Sequence, residues 1–423
     1  MSLLVLAAVL VGSAVSGEQS AGTAAQSLLT PHRSPLTAPE PGSALTVTLL
    51  TYETGGLVFE RFGHNAIWIH DASTGADRHY DYGRFDFRQR HFFLRFAQGK
   101  MWYSMGEDSL PGKYISFYAS EGRKIRAQEL DLLPAQRQAL RVFLETNIRP
   151  ENAGYAYDYY LDNCSIRIRD AIDRVIGGAI QRYGQRPSGF TWRDETRRLD
   201  EHNVFLYTGL MLALGQPVDR EMSRWEQMFL PGRLSEHLDS VQVTGADGVL
   251  RPLVKSNQVI AEGGRWPVPA RPSNWIRRYL LVGVLFGGAL ALLGYRSSRG
   301  GKAAAAIFLA LATLWALLAG VVGLIITWLS LLSSHRAAHQ NENLLLFNLL
   351  ALVLAVVLPL ALRRGARSME RARRLALVVA ALAALGLVLK LLPAFDQSNF
   401  ELIALAVPIH LGVWAGLRSR EPF

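Results

Sequence analysis

Residues 162–176 read DNCSIRIRDAIDRVI, and Gly177-Gly178 follow. Asp162 or Asn163 caps a helix over Cys164–Ile176, which the two glycines end. The cap puts Cys164 in the first helical turn. It is the only cysteine among 423 residues, so it has no internal disulfide partner. Three readings stay open for it: a buried inert thiol, an intermolecular bridge, or a nucleophile. The helix start favours the third, because its free N–H groups and dipole stabilise a thiolate. Backbone amides in the same turn suit an oxyanion.

Upstream of this helix the chain reads as strands. Leu45–Tyr52 (LTVTLLTY) is one. Asn65–His70 (NAIWIH) alternates apolar and polar residues, as a half-buried strand does. Residues 72–75 (ASTG) form a turn, and His79–Phe87 (HYDYGRFDF) returns as the second arm of a hairpin. Lys100–Met105 suggests a third strand. Ala135–Thr146, preceded by Pro134, and Asn203–Leu214 add helices. Residues 44–274 therefore form an α+β domain large enough for one core. Residues 18–43, rich in Ala, Ser, Thr and Pro, read as a flexible linker. Residues 1–17 read as a signal peptide or an uncleaved N-terminal anchor, through the apolar run Leu3–Val11 and the small residues after it.

Downstream, from Ile276, the composition shifts to Leu, Ala, Val and Gly. Crossing a bilayer takes about 20 apolar residues per helix. Five stretches qualify: 279–295, 305–332, 344–362, 375–393 and 400–417, within an all-α membrane domain over 275–423. Basic residues crowd alternate loops. Arg296, Arg299 and Lys302 follow the first span. Arg363, Arg364, Arg367, Arg371, Arg373 and Arg374 follow the third, and Arg418 and Arg420 follow the fifth. Basic loops belong inside, which puts residues up to Asn274 outside the cytoplasm. Much of the net charge of +10 sits in these loops. It reports topology and not nucleic-acid binding.

A thiol nucleophile needs a base, and the base needs an orienting group. His64, at the start of the first hairpin strand, is the candidate base. Asp81, on the facing strand, is the candidate orienting residue, with His70, His79 and Asp86 as competitors. An ASTG turn sets His64 opposite about Gly83–Arg84, with Asp81 diagonal to it on the same face. Asn163, Ser165 and Arg167 flank the nucleophile as candidate substrate contacts. Arg167 reads either as a phosphate or carboxylate clamp or as a solvated helix-face residue. The outer loop 335–343 (HRAAHQNEN) adds His335 and Asn343 as candidate contacts at the bilayer surface, or is an ordinary hydrophilic loop. Phe92, Phe93, Phe96, Trp102 and Tyr103, with Arg88, Arg90, Arg95 and Lys100, read as a headgroup-facing segment or as core aromatics. HExxH, P-loop and Cys/His zinc patterns are absent from the sequence, so no metal or cofactor is expected.

The order His-on-strand, then Cys-at-helix-start, resembles the circularly permuted branch of the NlpC/P60 papain-like superfamily. FGHNAIWIHD, YDYGRFDF and YAYDYYLDNCSIRIRDAID resemble more closely the Lnb N-terminal periplasmic domain. ALGQPVDREMSRWEQMFLP and HRAAHQNENLLLFN are similar to the same family, so the resemblance covers roughly 45–350. Members commonly carry Thr where this chain has Ser165. The resemblance implies a permuted papain-like periplasmic domain followed by a multi-span domain in the bacterial inner membrane. It also implies a cysteine-dependent acyltransferase acting on lipoproteins. Cys164 would take an acyl chain from a membrane phospholipid as a thioester, with His64 as base. The N-terminal amine of a diacylglyceryl-cysteine lipoprotein would accept it. Alternatives are a peptidoglycan amidase or endopeptidase, a phospholipid or thioester hydrolase, and a non-enzymatic membrane receptor or scaffold.

Overall fold

The computed structural model describes residues 40–86, 88–264, 267–364 and 366–418. The expected signal or anchor and most of the expected linker lie outside these residues. So does Phe87, at the end of the expected hairpin.

Among the described residues, seven strands make one sheet. They are β1 (Leu45–Tyr52), β2 (His64–Asp71), β3 (Ala76–Arg84), β4 (Met101–Asp108), β5 (Ile125–Leu130), β6 (Gly154–Tyr157) and β7 (Val254–Ala261). Their spatial order is β7-β5-β1-β2-β3-β4-β6, and every neighbouring pair is antiparallel. The helices that matter for the site are α1 (Phe92–Ala97), α2 (Pro111–Ser120), α3 (Pro134–Asn147), α4 (Cys164–Val175), α5 (Trp192–Asp200) and α6 (Val204–Ala213).

Thr46 and Thr48 alternate with buried Leu45, Val47 and Leu49, and only the end of β1, Leu49–Tyr52, is buried on both faces. Val47 and Leu49 of β1, Ile67 and Ile69 of β2, and Tyr80 and Tyr82 of β3 pack on Leu140 and Leu144 of α3 and on Ile168 and Ile172 of α4. Leu50, Tyr52, Ala66 and Ile125 pack on the other side, against Tyr114, Ile115 and Tyr118 of α2. Ile168 and Ile172 are fully buried. Each such side chain contributes about 1.5–3 kcal/mol, so the helix that Cys164 opens is held by its own apolar stripe. Asn163 Oδ1 accepts from the Ile166 amide at 3.0 Å to cap it. Gly177 and Gly178, at φ 68° and 80°, end it.

β5 and β7 do not stand out in the sequence. Val254–Ala261 (VKSNQVIA) pairs with Ile125–Leu130 across more than a hundred residues of chain. Long-range pairing, not local pattern, makes it a strand.

Among the described residues, five segments are long and apolar enough to cross a membrane; they include the helices α7 (Ile276–Ser298), α8 (Lys302–Leu331), α9 (Leu349–Arg364), α10 (Ala366–Val388) and α11 (Phe400–Arg418). The chain is a multi-pass membrane protein. Glycines bring α7 and α11 together, as small residues do in membrane helix pairs. A Cβ on Gly287 would lie 2.2 Å from the Pro408 carbonyl oxygen, and one on Gly294 would lie 2.2 Å from Gly416 Cα.

One buried cluster runs without a break from Trp192, Tyr207 and Met211 to Tyr279, Phe308 and Leu346 of the membrane part. Polar clamps reinforce it. Arg197 of α5 reaches Glu401 of α11 at 2.7 Å, both nearly buried, and Tyr207 donates to the same carboxylate at 3.3 Å. The membrane helices thus pack directly on the helices that follow α4.

Candidate active site

β2 and β3 form the hairpin expected from the ASTG turn, with Ala66 opposite Asp81. On its other side His64 pairs with Tyr52 of β1. This register puts His64 and Asp81 on one face, and His64 Nε2 donates to Asp81 Oδ2 at 3.2 Å. That leaves the other ring nitrogen, Nδ1, outside this bond, and Cys164 lies close enough to bias the imidazole's protonation. The fold thus brings together Cys164, His64 and Asp81, from a helix start and two adjacent strands. The His64 side chain keeps 19% of its surface open, so a substrate can reach it, and Cys164 is half-buried.

Neighbours fix each member. Asp81 is 6% exposed and also accepts from Arg84 Nε at 2.8 Å. Arg84 Nη2 in turn donates to the Tyr114 hydroxyl at 3.1 Å. The Tyr52 ring stacks on His64, with centroids 6.2 Å apart and planes 17° apart. Gly83 sits at a break in the β3–β4 register with φ +95°, and a Cβ there would lie 3.4 Å from Cys164 Cβ. This glycine bulge lets the strand pass beside Cys164.

Electrostatics favour a protonated imidazole at His64. Burial opposes a proton on His64. Negative charge on Cys164, with hydrogen bonds to Asp81 and Cys164, overcomes that and raises the imidazole to about 10. Burial likewise opposes charge on Asp81, yet His64 and Arg84 hold its carboxyl below the usual carboxylate range. Asn163 takes the Ile166 amide, which leaves the Cys164 and Ser165 amides of the first turn for an oxyanion.

The competitors are occupied elsewhere. His70 pairs with Asp77 at 2.9 Å and Asp86 pairs with Arg88. His79 is fully buried, bonded to the Tyr52 hydroxyl at 3.2 Å and stacked on Tyr114.

The residues expected as substrate contacts are engaged by the protein's own groups. Ser165 is fully buried, and its hydroxyl donates to the Met228 carbonyl at 2.7 Å. Asn163 spends its amide on the Tyr159 and Phe229 carbonyls and its oxygen on the helix cap. Asn343 is fully buried and bonds the carbonyls of Met211 and Leu212 and the Asn399 amide. It clamps the end of α6 to the membrane part. Arg167 lines a cleft of about 400 Å³ with Tyr82, Leu161 and Asp162. Its guanidinium fork is already closed on Asp162 at 2.7 Å and lies over the Tyr155 ring at 3.7 Å. His335 donates to the Phe96 carbonyl at 2.7 Å, which ties its loop to α1.

Gly83, Arg84 and Tyr52 are neighbours of Cys164, Asp81 and His64 that sequence reasoning did not single out. The signal for Gly83 was present: a glycine inside an aromatic strand marks a bulge or a close approach. Arg84 and Tyr52 carry no such mark.

Comparisons with known proteins agree with this architecture. Residues 37–198 match the Lnb N-terminal periplasmic domain model, and residues 277–419 match the Lnb transmembrane domain model. No curated protein matches the chain, and no solved structure does. With both domains matched in order, the chain belongs to the Lnb-type family.

Proposed function

We propose that this protein is a thiol acyltransferase that N-acylates bacterial lipoproteins. The family points to a lipoprotein N-acyltransferase-type role. The observation that carries the reading is His64, bonded to Asp81 and beside Cys164, on a chain whose described residues include five helices long and apolar enough to cross a membrane. In the first step the Cys164 thiolate attacks an acyl ester of a membrane phospholipid. The C–S bond forms as the ester C–O bond breaks, and the protonated His64 gives its proton to the leaving lysophospholipid oxygen. In the second step the neutral α-amine of a diacylglyceryl-cysteine lipoprotein attacks the thioester. His64 takes the amine proton, the amide forms and Cys164 leaves as thiolate. The Cys164 and Ser165 amides stabilise both tetrahedral oxyanions, and Asp81 keeps the imidazole oriented.

The alternating basic loops support a periplasmic site on the inner membrane, where donor and acceptor both lie. The test is the mass of lipoprotein N-termini in cells with no other N-acyltransferase. Wild type should add one acyl chain and Cys164→Ala should not. Full N-acylation by Cys164→Ala would end the proposal, and release of muropeptides instead would favour the wall-hydrolase alternative.

A further inference from the structure

α1 and the turn before β2 carry large apolar side chains that face outward. Phe93 is 80% exposed and Phe96 54%, and Leu57, Val58 and Phe59 are each more than half exposed. A soluble surface rarely gathers such side chains without a partner.

Two observations identify the partner. The first is continuity with a span. α8 has 30 residues, about 45 Å of helix against a hydrocarbon core of about 30 Å, so its last turns reach the headgroup layer. α1 is bonded to that end. Trp328 Nε1 donates to the Ala97 carbonyl at 3.2 Å, the Ser334 amide donates to the Gln98 carbonyl at 2.8 Å, and His335 donates to the Phe96 carbonyl. The second is charge. Arg88, Arg90, Arg95 and Lys100 flank the exposed rings, and basic residues beside aromatics suit phosphate headgroups.

The same surface leads to the nucleophile. Gly83, which abuts Cys164, is two residues from Phe85. The Phe85 ring meets Phe59 at 5.7 Å, Phe92 at 6.3 Å and Tyr103 at 5.1 Å, and Tyr103 stacks on Tyr157 at 4.0 Å. Phe59 lies five residues before His64. An aromatic ledge thus joins α1 to both strands of the catalytic hairpin.

We infer that α1 and Leu57–Phe59 form a lipid-facing ledge that dips into the leaflet and guides a phospholipid acyl chain from the bilayer to Cys164. The part of this inference that concerns acyl delivery rests on the acyltransferase reading, and the part that concerns contact with lipid does not. The experiment uses the full chain in phosphatidylethanolamine/phosphatidylglycerol vesicles, with a phospholipid that carries a diazirine on its acyl chain. Photolabel should appear on peptides covering 57–60 and 91–98 as well as on the spans. Label confined to the spans would overturn the inference, as would protection of these peptides by a concentration-dependent dimer. In a second arm, Phe93→Glu/Phe96→Glu should form acyl-Cys164 from vesicle phospholipid at least about tenfold more slowly. Its cleavage of a water-soluble short-chain ester should match wild type. An unchanged rate from vesicles, or equal losses on both substrates, would overturn it. A wild-type chain labelled at 91–98 that forms no acyl-Cys164 would sink the acyltransferase reading and leave the lipid contact standing.

Discussion

Asp81→Asn probes the arrangement of the site most sharply. The carboxylate accepts from His64 Nε2 at 3.2 Å and from Arg84 Nε at 2.8 Å, and it is 6% exposed. An asparagine fits the same space but has one acceptor oxygen and one donor nitrogen. Turned either way, it sets an N–H against the N–H of His64 or of Arg84. A hydrogen bond to a charged group is worth about 1.5–3 kcal/mol, which is roughly 10- to 150-fold in rate. The rate of Cys164 acylation by phospholipid, followed by intact mass in vesicles, should fall within that range. The imidazole should also lose part of its elevation from about 10, which moves the alkaline limb of the pH–rate profile to lower pH. Acylation within about twofold of wild type, with an unchanged profile and a folded protein, would refute the orienting role.

Other consequences are simpler. Ser165→Ala should leave acylation near wild type and cost about 1–3 kcal/mol in thermal unfolding, because the Met228 carbonyl loses its donor; a substrate contact would show instead as a higher KM. Glu401→Gln should leave the nearly buried Arg197 with only Asp194 at 3.9 Å as a counter-charge at a cost of about 1–3 kcal/mol, seen as a lower melting temperature and faster proteolysis between the two parts. His64 is raised from an unfolded value of about 6.5 to about 10. Its contribution to stability is complete below about pH 6.5 and is lost as pH rises through about 10. The stability gap between wild type and His64→Asn should therefore shrink between pH 7 and 10 in denaturant titrations, and a widening gap would contradict the assignment.

The elements that carry the site are written locally. Asn163 before the amphipathic run of α4, Gly177-Gly178 after it, and the ASTG turn of the hairpin each act within a few residues. The turn sets the register that brings His64 to Asp81. The membrane helices are legible for the same reason, since a span is defined by its own length and composition. What was not legible depends on partners far along the chain. Ser165 and Asn343 look like polar groups free to meet substrate, until Met228 and Met211 use them up. The His/Asn-rich loop reads as a site, yet its polar atoms cap helix carbonyls across a domain boundary. β7 has no local signature and exists because β5 offers an edge.

The most direct measurement is the covalent state of Cys164 itself. Full-length protein purified in phospholipid should carry an acyl adduct on the peptide spanning Cys164. Neutral hydroxylamine should remove it, and a diacylglyceryl-cysteine lipopeptide should discharge it to give the N-acylated product. A Cys164 peptide that stays unmodified in phospholipid, while lipoprotein N-acylation proceeds, would contradict the account.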